Sequence, residues 1–593
     1  MSRQKMTLAA ICAFTLAAAA CGGGTKAPSG AEGGAAKGGT LNMLGSGDID
    51  YMDPNISYYS IGYLGLRMWS RQLFTNPAEN GKTTASVPDL ATDMPTTSNG
   101  GVSADGKTYT IKIRQGAMWN TSPARQVTAA DVVRGVKRTC NPVQPFGGIP
   151  DFQSLIEGYK AFCDGFAKVG KTAAAIGSYV EATDLPGVKA TDDTTVVFTL
   201  TAPASYFVDM LTLPAFSPAP KEFNSYVPAS AELAQHTLSD GPYQIESYKP
   251  TKQIVFTRNP AWQASSDPVR KAYVDKIVIN ETVSQDSTQQ QLQTGTPTAD
   301  MEFDNFPPPS QLPKLISTKD PNLNLGPTAS TNPYVVFNTV SPNNNKAMAN
   351  VQLRQALMYA INRTNIIQVL GGPKVNQALT HVLPQDIVGS TPIDLYPYDT
   401  GKAKEMLAAA GFPNGLTLKF LYRNASEGSS KSFQTVQQDL SKVGVKVVGV
   451  PSPNADFYTK YLQVPSVARR GVWDLSLAGW GADWYGNAAL SFFAPLFSGS
   501  RSFPPAGSNF GLYESPATNA LILQAATAKS TDEASSLWAK ADEQVMKDAP
   551  FFPITNPLQA NYHASQVHNA VYLPSIQNFD PTNVWLSKDK QGG

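Results

Sequence analysis

The chain has 593 residues, of which 42% are apolar and 16% are charged, a globular composition with material for three or four folding units. The 47 Lys and Arg side chains balance 46 Asp and Glu side chains, which argues against a nucleic-acid partner because phosphate binding needs a basic excess. These figures exclude an intrinsically disordered chain, a coiled coil and a multi-span membrane protein.

Residues 1–20 have the pattern of a secretory signal peptide. Arg3 and Lys5 supply a positive start, and an apolar run follows that is too short for a comfortable membrane span. Cys21 comes directly after a run of Ala, which resembles the bacterial lipobox, although Ala18 stands where Leu is usual. We predict that Cys21 is lipidated and becomes the mature N-terminus. The alternative is an ordinary cleavage site with an incidental Cys.

Residues 21–39 are predicted to be the anchor Cys and a flexible linker, because Gly, Ala and small polar residues cannot bury enough surface to fold. Export also bears on the cysteines. Cys12 leaves with the signal peptide and Cys21 is the proposed anchor, so Cys140 and Cys163 remain. Two thiols outside the cell more often form a disulfide than stay free, and we predict this pair; two reduced thiols are the alternative.

The first half of the mature chain is rich in predicted strands. Residues 108–114 alternate like a half-buried strand. Thr128 and Asp131 then form a capping box at the start of a helix. The further predicted strands are residues 194–200, 252–258 and 273–279.

The second half reads as an α/β lobe. Helices are predicted at 351–363 and at 401–410, the latter stopped by Gly411. A βαβ pattern follows, because apolar runs at 416–422 and 445–450 flank a helical stripe from Phe433 to Val443. Parallel strands joined by a helix imply a sheet covered on both faces.

No motif in the chain indicates an enzyme. Residues 101–108 and 165–172 match the P-loop pattern, but neither follows a buried strand, which that loop needs in order to surround a phosphate. GxSxG and HExxH are absent, and the four His residues are scattered. We therefore predict no catalysis, no cofactor and no metal site.

The most unusual local composition lies in residues 473–497, which are rich in Trp, Tyr and Phe. Asp483 stands there between Trp480 and Trp484 in a glycine-rich turn. Aromatic walls with one placed charge suit a small-molecule site, because the walls exclude water and strengthen a charge pair. A core-edge aromatic cluster with a surface Asp is the alternative reading.

Several blocks of the chain resemble the family 5 extracellular solute-binding proteins of ABC importers, whose members bind peptides, nickel chelates or some oligosaccharides. The similarity runs in order over nearly the whole mature chain. The blocks are residues 38–41, 73–74, 109–117 with 127–133, 241–243 with 258–262, 351–363, 403–411 and 479–484.

The resemblance implies an α/β fold of the periplasmic-binding-protein type II class, a clamp of two lobes joined by a two-segment hinge. An extra domain would be inserted in the first lobe. The implied boundaries are lobe I at 40–75, 192–282 and 556–593, the inserted subdomain at 76–191, and lobe II at 283–555.

The resemblance also implies the ligand contacts. The family's Asp that pairs with a peptide's α-ammonium aligns with Asp483, and its neighbours are expected to line the same cleft. Tyr58, Tyr59 and Asn338 lie where ligand-facing positions of the two lobes are expected. The complete predicted set is Asp483, Trp480, Ala482, Trp484, Tyr485, Tyr58, Tyr59 and Asn338.

The predicted function is therefore ligand capture for an ABC importer. A monomeric lipoprotein at the outer face of the cytoplasmic membrane would bind a small solute, most simply a short peptide, and deliver it to permease subunits. The same clamp binding an oligosaccharide or a nickel chelate is one alternative. An envelope receptor lipoprotein without transport is the other, and an exported hydrolase has no motif to support it.

Overall fold

The computed structural model describes residues 35 and 37–590, except 205, 329, 330, 386, 485–487, 529 and 530. The predicted signal peptide and Cys21 lie outside the described residues. Within the described part, none of the helices combines the length and the apolar character needed to cross a bilayer.

The described strands occur in both halves of the chain and form several separate sheets. In chain order they are β1 (Thr40–Leu44), β2 (Phe74–Thr75), β3 (Val87–Pro88), β4 (Thr108–Lys112), β5 (Met118–Trp119), β6 (Arg125–Gln126), β7 (Val188–Asp192), β8 (Thr195–Thr199), β9 (Tyr243–Lys249), β10 (Gln253–Arg258), β11 (Lys276–Asn280), β12 (Met301–Glu302), β13 (Leu323–Thr328), β14 (Thr331–Phe337), β15 (Asn376–Ala378), β16 (Thr417–Arg423), β17 (Lys446–Ser452), β18 (Leu475–Gly481), β19 (Phe551–Pro553), β20 (Thr555–Tyr562), β21 (Val567–His568), β22 (Tyr572–Leu573), β23 (Asn578–Phe579) and β24 (Trp585–Leu586).

The described α-helices cover these sheets and fill the connections between them. In chain order they are α1 (Ser60–Trp69), α2 (Ala129–Arg138), α3 (Ile149–Phe152), α4 (Tyr159–Phe166), α5 (Ala173–Ala182), α6 (Phe207–Met210), α7 (Ala231–Ala234), α8 (Gln285–Thr294), α9 (Leu312–Thr318), α10 (Asn343–Lys346), α11 (Val351–Ala360), α12 (Arg363–Val369), α13 (Thr400–Ala409), α14 (Glu427–Ser441), α15 (Asn454–Asp456), α16 (Pro465–Arg469), α17 (Ala489–Phe497), α18 (Pro516–Ala526) and α19 (Thr531–Asp548).

Lobe I contains a mixed sheet in the order β12-β1-β11-β10-β9. Its first strand, β1, runs parallel to both β11 and β12, so that Met43 faces Ile279 on one side and Met301 on the other. All three side chains are fully buried, as the alternation of apolar residues requires for a strand in the middle of a sheet. The strands predicted at 252–258 and 273–279 are confirmed as β10 and β11.

The inserted subdomain contains the three-stranded sheet β4-β8-β7 and the helices α2 to α5. The capping box predicted at Thr128 and Asp131 is present, and the Thr128 amide donates to the Asp131 carboxylate at 3.1 Å. The strand β8, which follows the predicted boundary at 191/192, pairs with β4 and β7 along its whole length. Because an antiparallel hairpin is one packing unit, we propose that the inserted subdomain continues through Thr199.

Cys140 and Cys163 form the predicted disulfide, with their Cα atoms 5.6 Å apart. The bond joins the end of α2 to the middle of α4, and both residues are buried. The two cysteines are 23 residues apart in sequence, and their bond ties α4 to the residues that follow α2 in the inserted subdomain.

Replacing both Cys140 and Cys163 by Ser is expected to lower the free energy of unfolding by about 3 kcal/mol, because the closed loop restricts the unfolded chain. Urea unfolding followed by fluorescence measures the change. Reduction of the wild-type protein before unfolding serves as the matched control and should give the same loss. Equal midpoints for the oxidised and reduced wild-type protein would contradict the prediction.

Lobe II contains a five-stranded sheet in the order β17-β16-β18-β14-β19. The predicted βαβ unit is confirmed: β16 and β17 are parallel, and α14 connects them. Val436 and Leu440 of α14 are fully buried. The helix predicted to stop at Gly411 ends at Ala409, and Gly411 has a φ of +95°, a left-handed conformation that favours Gly.

Two antiparallel strands connect the lobes. Leu323 of β13 pairs with Tyr562 of β20, and β20 begins at the predicted second crossover. The first crossover is predicted near residue 283. Beyond it, the strand β12 pairs with β1 in the lobe I sheet, and Leu315 of α9 packs in a small core with Leu44. We therefore propose that the chain leaves lobe I through β13.

A buried network of ion pairs joins three distant segments around lobe I. Asp89 contacts Arg71 and Arg270, each at 2.8 Å, and Asp267 lies 3.4 Å from Arg270. All four side chains are fully buried. Because each carboxylate meets guanidinium groups, the network compensates its own charge and fixes the start of the insertion against the lobe I sheet.

Candidate binding cleft between the two lobes

A cavity of about 800 Å³ lies between the lobes. Lobe I lines it with residues 47–50 and with the segment at the start of α1. Lobe II lines it with residues 477–483 at the end of β18, and the crossing strand β20 contributes residues 557–560. The cavity is large enough for a ligand the size of a few amino-acid residues, and elements of both lobes line it.

The end of β18 positions the acidic residue predicted from the sequence. The Trp480 indole N–H donates to the Ser491 carbonyl at 2.8 Å, and the Asp483 amide donates to the Ser491 hydroxyl at 3.3 Å. Both contacts fasten the turn after β18 to the first residues of α17. Trp480, Ala482 and Asp483 consequently line the cavity.

Tyr58 of lobe I reaches across to this turn. Its hydroxyl donates to the Asp483 carboxylate at 2.6 Å, and its ring contacts Trp480 with 5.5 Å between ring centroids. The other side of the ring packs on Phe146 of the inserted subdomain at 4.6 Å. The backbone amide of Tyr58 donates to Asp50 at 2.7 Å, so this one residue touches acidic groups of both lobes. The two lobes are therefore in contact over the cavity.

Tyr59 also lines the cavity and packs on Tyr458 of lobe II at 5.1 Å. Its hydroxyl is buried and has no hydrogen-bond partner within the described part of the chain. Burial, with the charge of Asp50 in second place, raises the pKa of Tyr59 well above its ordinary value. Tyr59 is thus a neutral hydroxyl that can donate to or accept from a ligand.

Two of the predicted ligand contacts lie away from the cavity. Trp484 is 1% exposed and stacks on Tyr206 at 5.9 Å, so its ring belongs to the core. Asn338 is fully buried, and its amide donates to the carbonyls of Ala468 and Trp473. Neither side chain is among the described residues that line the cavity. Tyr485 lies outside the described residues.

The structure adds Arg423, which the sequence analysis missed. It is the last residue of β16, lines the cavity, and places its guanidinium over the Phe457 ring at 5.4 Å. Its Nε atom is buried without a hydrogen-bond partner among the described residues. The available signal was its position, because ligands of open α/β sheets bind outside the carboxyl ends of the strands.

Asp50 was also missed, and its environment is unusual. Burial, opposed by hydrogen bonds from the Ser57 hydroxyl and the Tyr58 amide, raises the pKa of Asp50 to about 6. Within the described residues no group of three or more His, Cys, Asp or Glu side chains could hold a metal ion. The lining of the cavity contains carboxylates, a guanidinium and aromatic rings, which suit binding of a charged organic ligand.

The sequence model of the bacterial extracellular solute-binding proteins, family 5, middle, matches residues 85–503. The chain belongs to this family. The resemblance stated from the sequence is thereby confirmed, and with it the assignment to an extracellular class of solute-binding proteins.

Curated relatives of this family 5 protein include the glutathione-binding protein GsiB of Pectobacterium atrosepticum. It is 28% identical over 456 residues, which cover 76% of this chain and 77% of the relative. The GsiB of Salmonella typhimurium is 25% identical over 480 residues, which cover 80% of this chain and 82% of the relative.

Solved structures show the same fold. The murein tripeptide binding protein MppA of Escherichia coli superimposes with a TM-score of 0.76 at 19% identity, covering 93% of this chain and 99% of that one. The OppA of Haemophilus influenzae in complex with RPPGFSPFR superimposes with a TM-score of 0.75 at 19% identity, and the match covers 94% of this chain and 100% of that one. The predicted type II clamp of two lobes is confirmed.

Proposed function

We propose that this protein is the substrate-binding component of an ABC importer and that it captures a short peptide between its lobes for delivery to a permease. The family assignment supports solute capture. The similar proteins, which are a glutathione-binding protein, a murein tripeptide binding protein and an OppA in complex with a peptide, support a peptide ligand. The observation that carries the proposal is Asp483 at the wall of a cavity that both lobes enclose.

In the proposed complex the α-ammonium of the peptide pairs with Asp483. Tyr58 already donates to one oxygen of this carboxylate and so fixes its orientation before the ligand arrives. Trp480 lies beside it and gives the first side chain of the peptide an apolar surface. Because Asp483 and Trp480 are partly buried between the lobes, the charge pair is stronger than it would be in solution.

We also propose the membrane anchor, the monomeric state, the permease partners and the absence of catalysis that were predicted from the sequence. Lipidation of Cys21 would hold the folded body at the outer face of the cytoplasmic membrane, with residues 22–39 as the tether. The protein would act as a monomer, with the permease subunits as its protein partners and without catalysis of its own.

Titration with Ala-Ala-Ala and with its N-acetylated form tests the proposal. The free tripeptide should bind at least tenfold more tightly, because acetylation removes the charge that Asp483 is proposed to hold. Fluorescence of Trp480 reports binding, since its ring lines the cavity. Failure of every peptide to bind, together with an oligosaccharide or a nickel chelate in native mass spectra of the purified protein, would overturn the peptide assignment.

A further inference from the structure

The charged residues of the cavity are strongly unbalanced. Its described lining contains five Asp side chains and one basic side chain, Arg423. Asp456 already pairs with Lys460 at 2.8 Å. The remaining four are Asp483 of lobe II and a group in lobe I that we call the acidic wall, which consists of Asp48, Asp50 and Asp304.

The acidic wall is held by neutral hydrogen-bond donors. Asp48 accepts from the Tyr248 hydroxyl at 2.9 Å and from the Thr251 amide at 2.8 Å. Asp50 accepts from the Ser57 hydroxyl at 2.6 Å and from the Tyr58 amide at 2.7 Å.

Asp304, the third member, accepts from the Ser46 amide at 2.7 Å. The cation that acts on Asp304 is Arg423, which approaches from lobe II. These donors orient the three carboxylates without adding a positive charge, so Arg423 is the one cation in the described lining of the cavity that opposes the charge of the wall.

A further carboxyl group lies behind the wall. Glu281 is 3% exposed. Burial, followed by the charge of Asp48 and a hydrogen bond with it, raises the pKa of Glu281 well above its ordinary value, so Glu281 is a neutral carboxyl group that adds no charge to the wall. The carboxylates that a cationic ligand group can meet here are those of Asp48, Asp50 and Asp304.

We propose that the acidic wall is a subsite for a second positive charge, so that the protein selects peptides with a Lys or Arg side chain close to the amino end. This inference rests on the proposed function. Tyr58 sets the spacing, because its amide contacts Asp50 and its hydroxyl contacts Asp483. A peptide whose α-ammonium lies at Asp483 can therefore place a basic side chain on the wall, roughly one tyrosine length away.

Binding of a cation at the acidic wall should be coupled to the release of a proton from Asp50. A cation beside Asp50 favours its charged form and lowers its pKa from about 6, so binding near pH 6 should release protons. The other titratable groups that interact with Asp50 are Tyr51, Tyr59 and Tyr248, and all three stay neutral in this range because burial raises their pKa values. Asp50, whose pKa lies near 6, therefore exchanges its proton in this range.

Calorimetry with Ala-Lys-Ala, Ala-Ala-Ala and Ala-Glu-Ala tests the inference on the wild-type protein. The Lys peptide should bind about tenfold more tightly than the Ala peptide, and the Glu peptide more weakly than both. Repeating the Lys titration at pH 6 in two buffers of different ionisation enthalpy should show proton release, which the Ala peptide lacks. Equal affinities for the three peptides would overturn the inference and leave the proposed function intact. If none of the peptides binds, the proposed function itself fails.

Two variants distinguish a local effect of the acidic wall on peptide binding from an effect of the overall negative charge of lobe I. Asp50→Asn should remove most of the preference for Lys over Ala. The matched control is Glu246→Gln on β9, which removes one negative charge from the same lobe, where Glu246 pairs with Lys276 instead of lining the cavity. Loss of the Lys preference in both variants would show a long-range charge effect and contradict a defined subsite.

Discussion

Replacing Asp483 by Asn is expected to weaken the binding of a free peptide about a hundredfold, as measured by calorimetry. The substitution keeps the shape of the side chain and an oxygen that can accept from Tyr58 at its present distance of 2.6 Å. It removes only the negative charge, so the α-ammonium of the peptide would enter the cavity without its partner. An uncompensated buried charge typically costs 3 to 5 kcal/mol.

The control for this variant is Asp164→Asn. Asp164 pairs with Lys160 on the surface of α4, where both side chains are more than half exposed, so its loss should leave affinity unchanged. An Asp483→Asn protein that binds the free and the N-acetylated tripeptide as the wild type does would show that the ammonium is held elsewhere.

Replacing Asp89 by Asn is expected to lower the free energy of unfolding by about 3 kcal/mol or more. Asp89 is fully buried and contacts Arg71 and Arg270, each at 2.8 Å. Without this carboxylate, Asp267 is the ion-pair partner left to the two buried guanidinium groups in the described part of the chain. The penalty comes from the charges left behind, since water cannot enter to solvate them.

The same network makes stability depend on pH. Burial disfavours the charged form of Asp267, but Arg71 and Arg270 outweigh it and hold the pKa of Asp267 below its ordinary value. Its contribution is therefore complete above the unfolded pKa of about 3.9 and is lost as the pH falls below that value. Urea unfolding of the wild type and of Asp89→Asn at several pH values measures both effects.

Glu79→Gln is the matched control for Asp89→Asn, because Glu79 forms an exposed pair with Lys82 at 2.8 Å. That substitution should leave the unfolding midpoint unchanged. A midpoint for Asp89→Asn equal to that of the wild type would mean that water or another group compensates the two arginines.

Local patterns in the sequence predicted local structure well. Thr128 and Asp131 sit three residues apart before an apolar stripe, and they form a capping box at α2. The alternation at 108–114 gives β4, and the apolar runs on both sides of α14 give parallel strands. These features depend on neighbours within a few residues, so a single sequence contains what determines them.

The lobe boundaries were harder to predict from the sequence, because they depend on pairing between distant segments. The short strand β12 has two residues and no pattern of its own, yet it completes the sheet of lobe I beside β1. The strand β8 was recognised as a strand, but nothing within 195–199 indicates that β4 and β7 are its partners. Pairing partners of this kind become visible only in the fold.

In the candidate site, too, some residues could be predicted from the sequence and others could not. Residue type and family resemblance led to Asp483, Trp480, Tyr58 and Tyr59, all of which line the cavity. They could not separate Trp480 from Trp484, although the two indoles are four residues apart in sequence. The turn after β18 directs the first towards the cavity and the second onto Tyr206.

Residue identity and local order along the chain were enough to predict the family, the two-lobed α/β class, the disulfide and the acidic residue at the centre of the proposed site. The fold was needed to show that Arg423 and the acidic wall of Asp48, Asp50 and Asp304 share one cavity with Asp483. The reason is physical: the charge balance of a cleft is a sum over side chains from distant segments, and folding alone brings them within Coulombic range of each other.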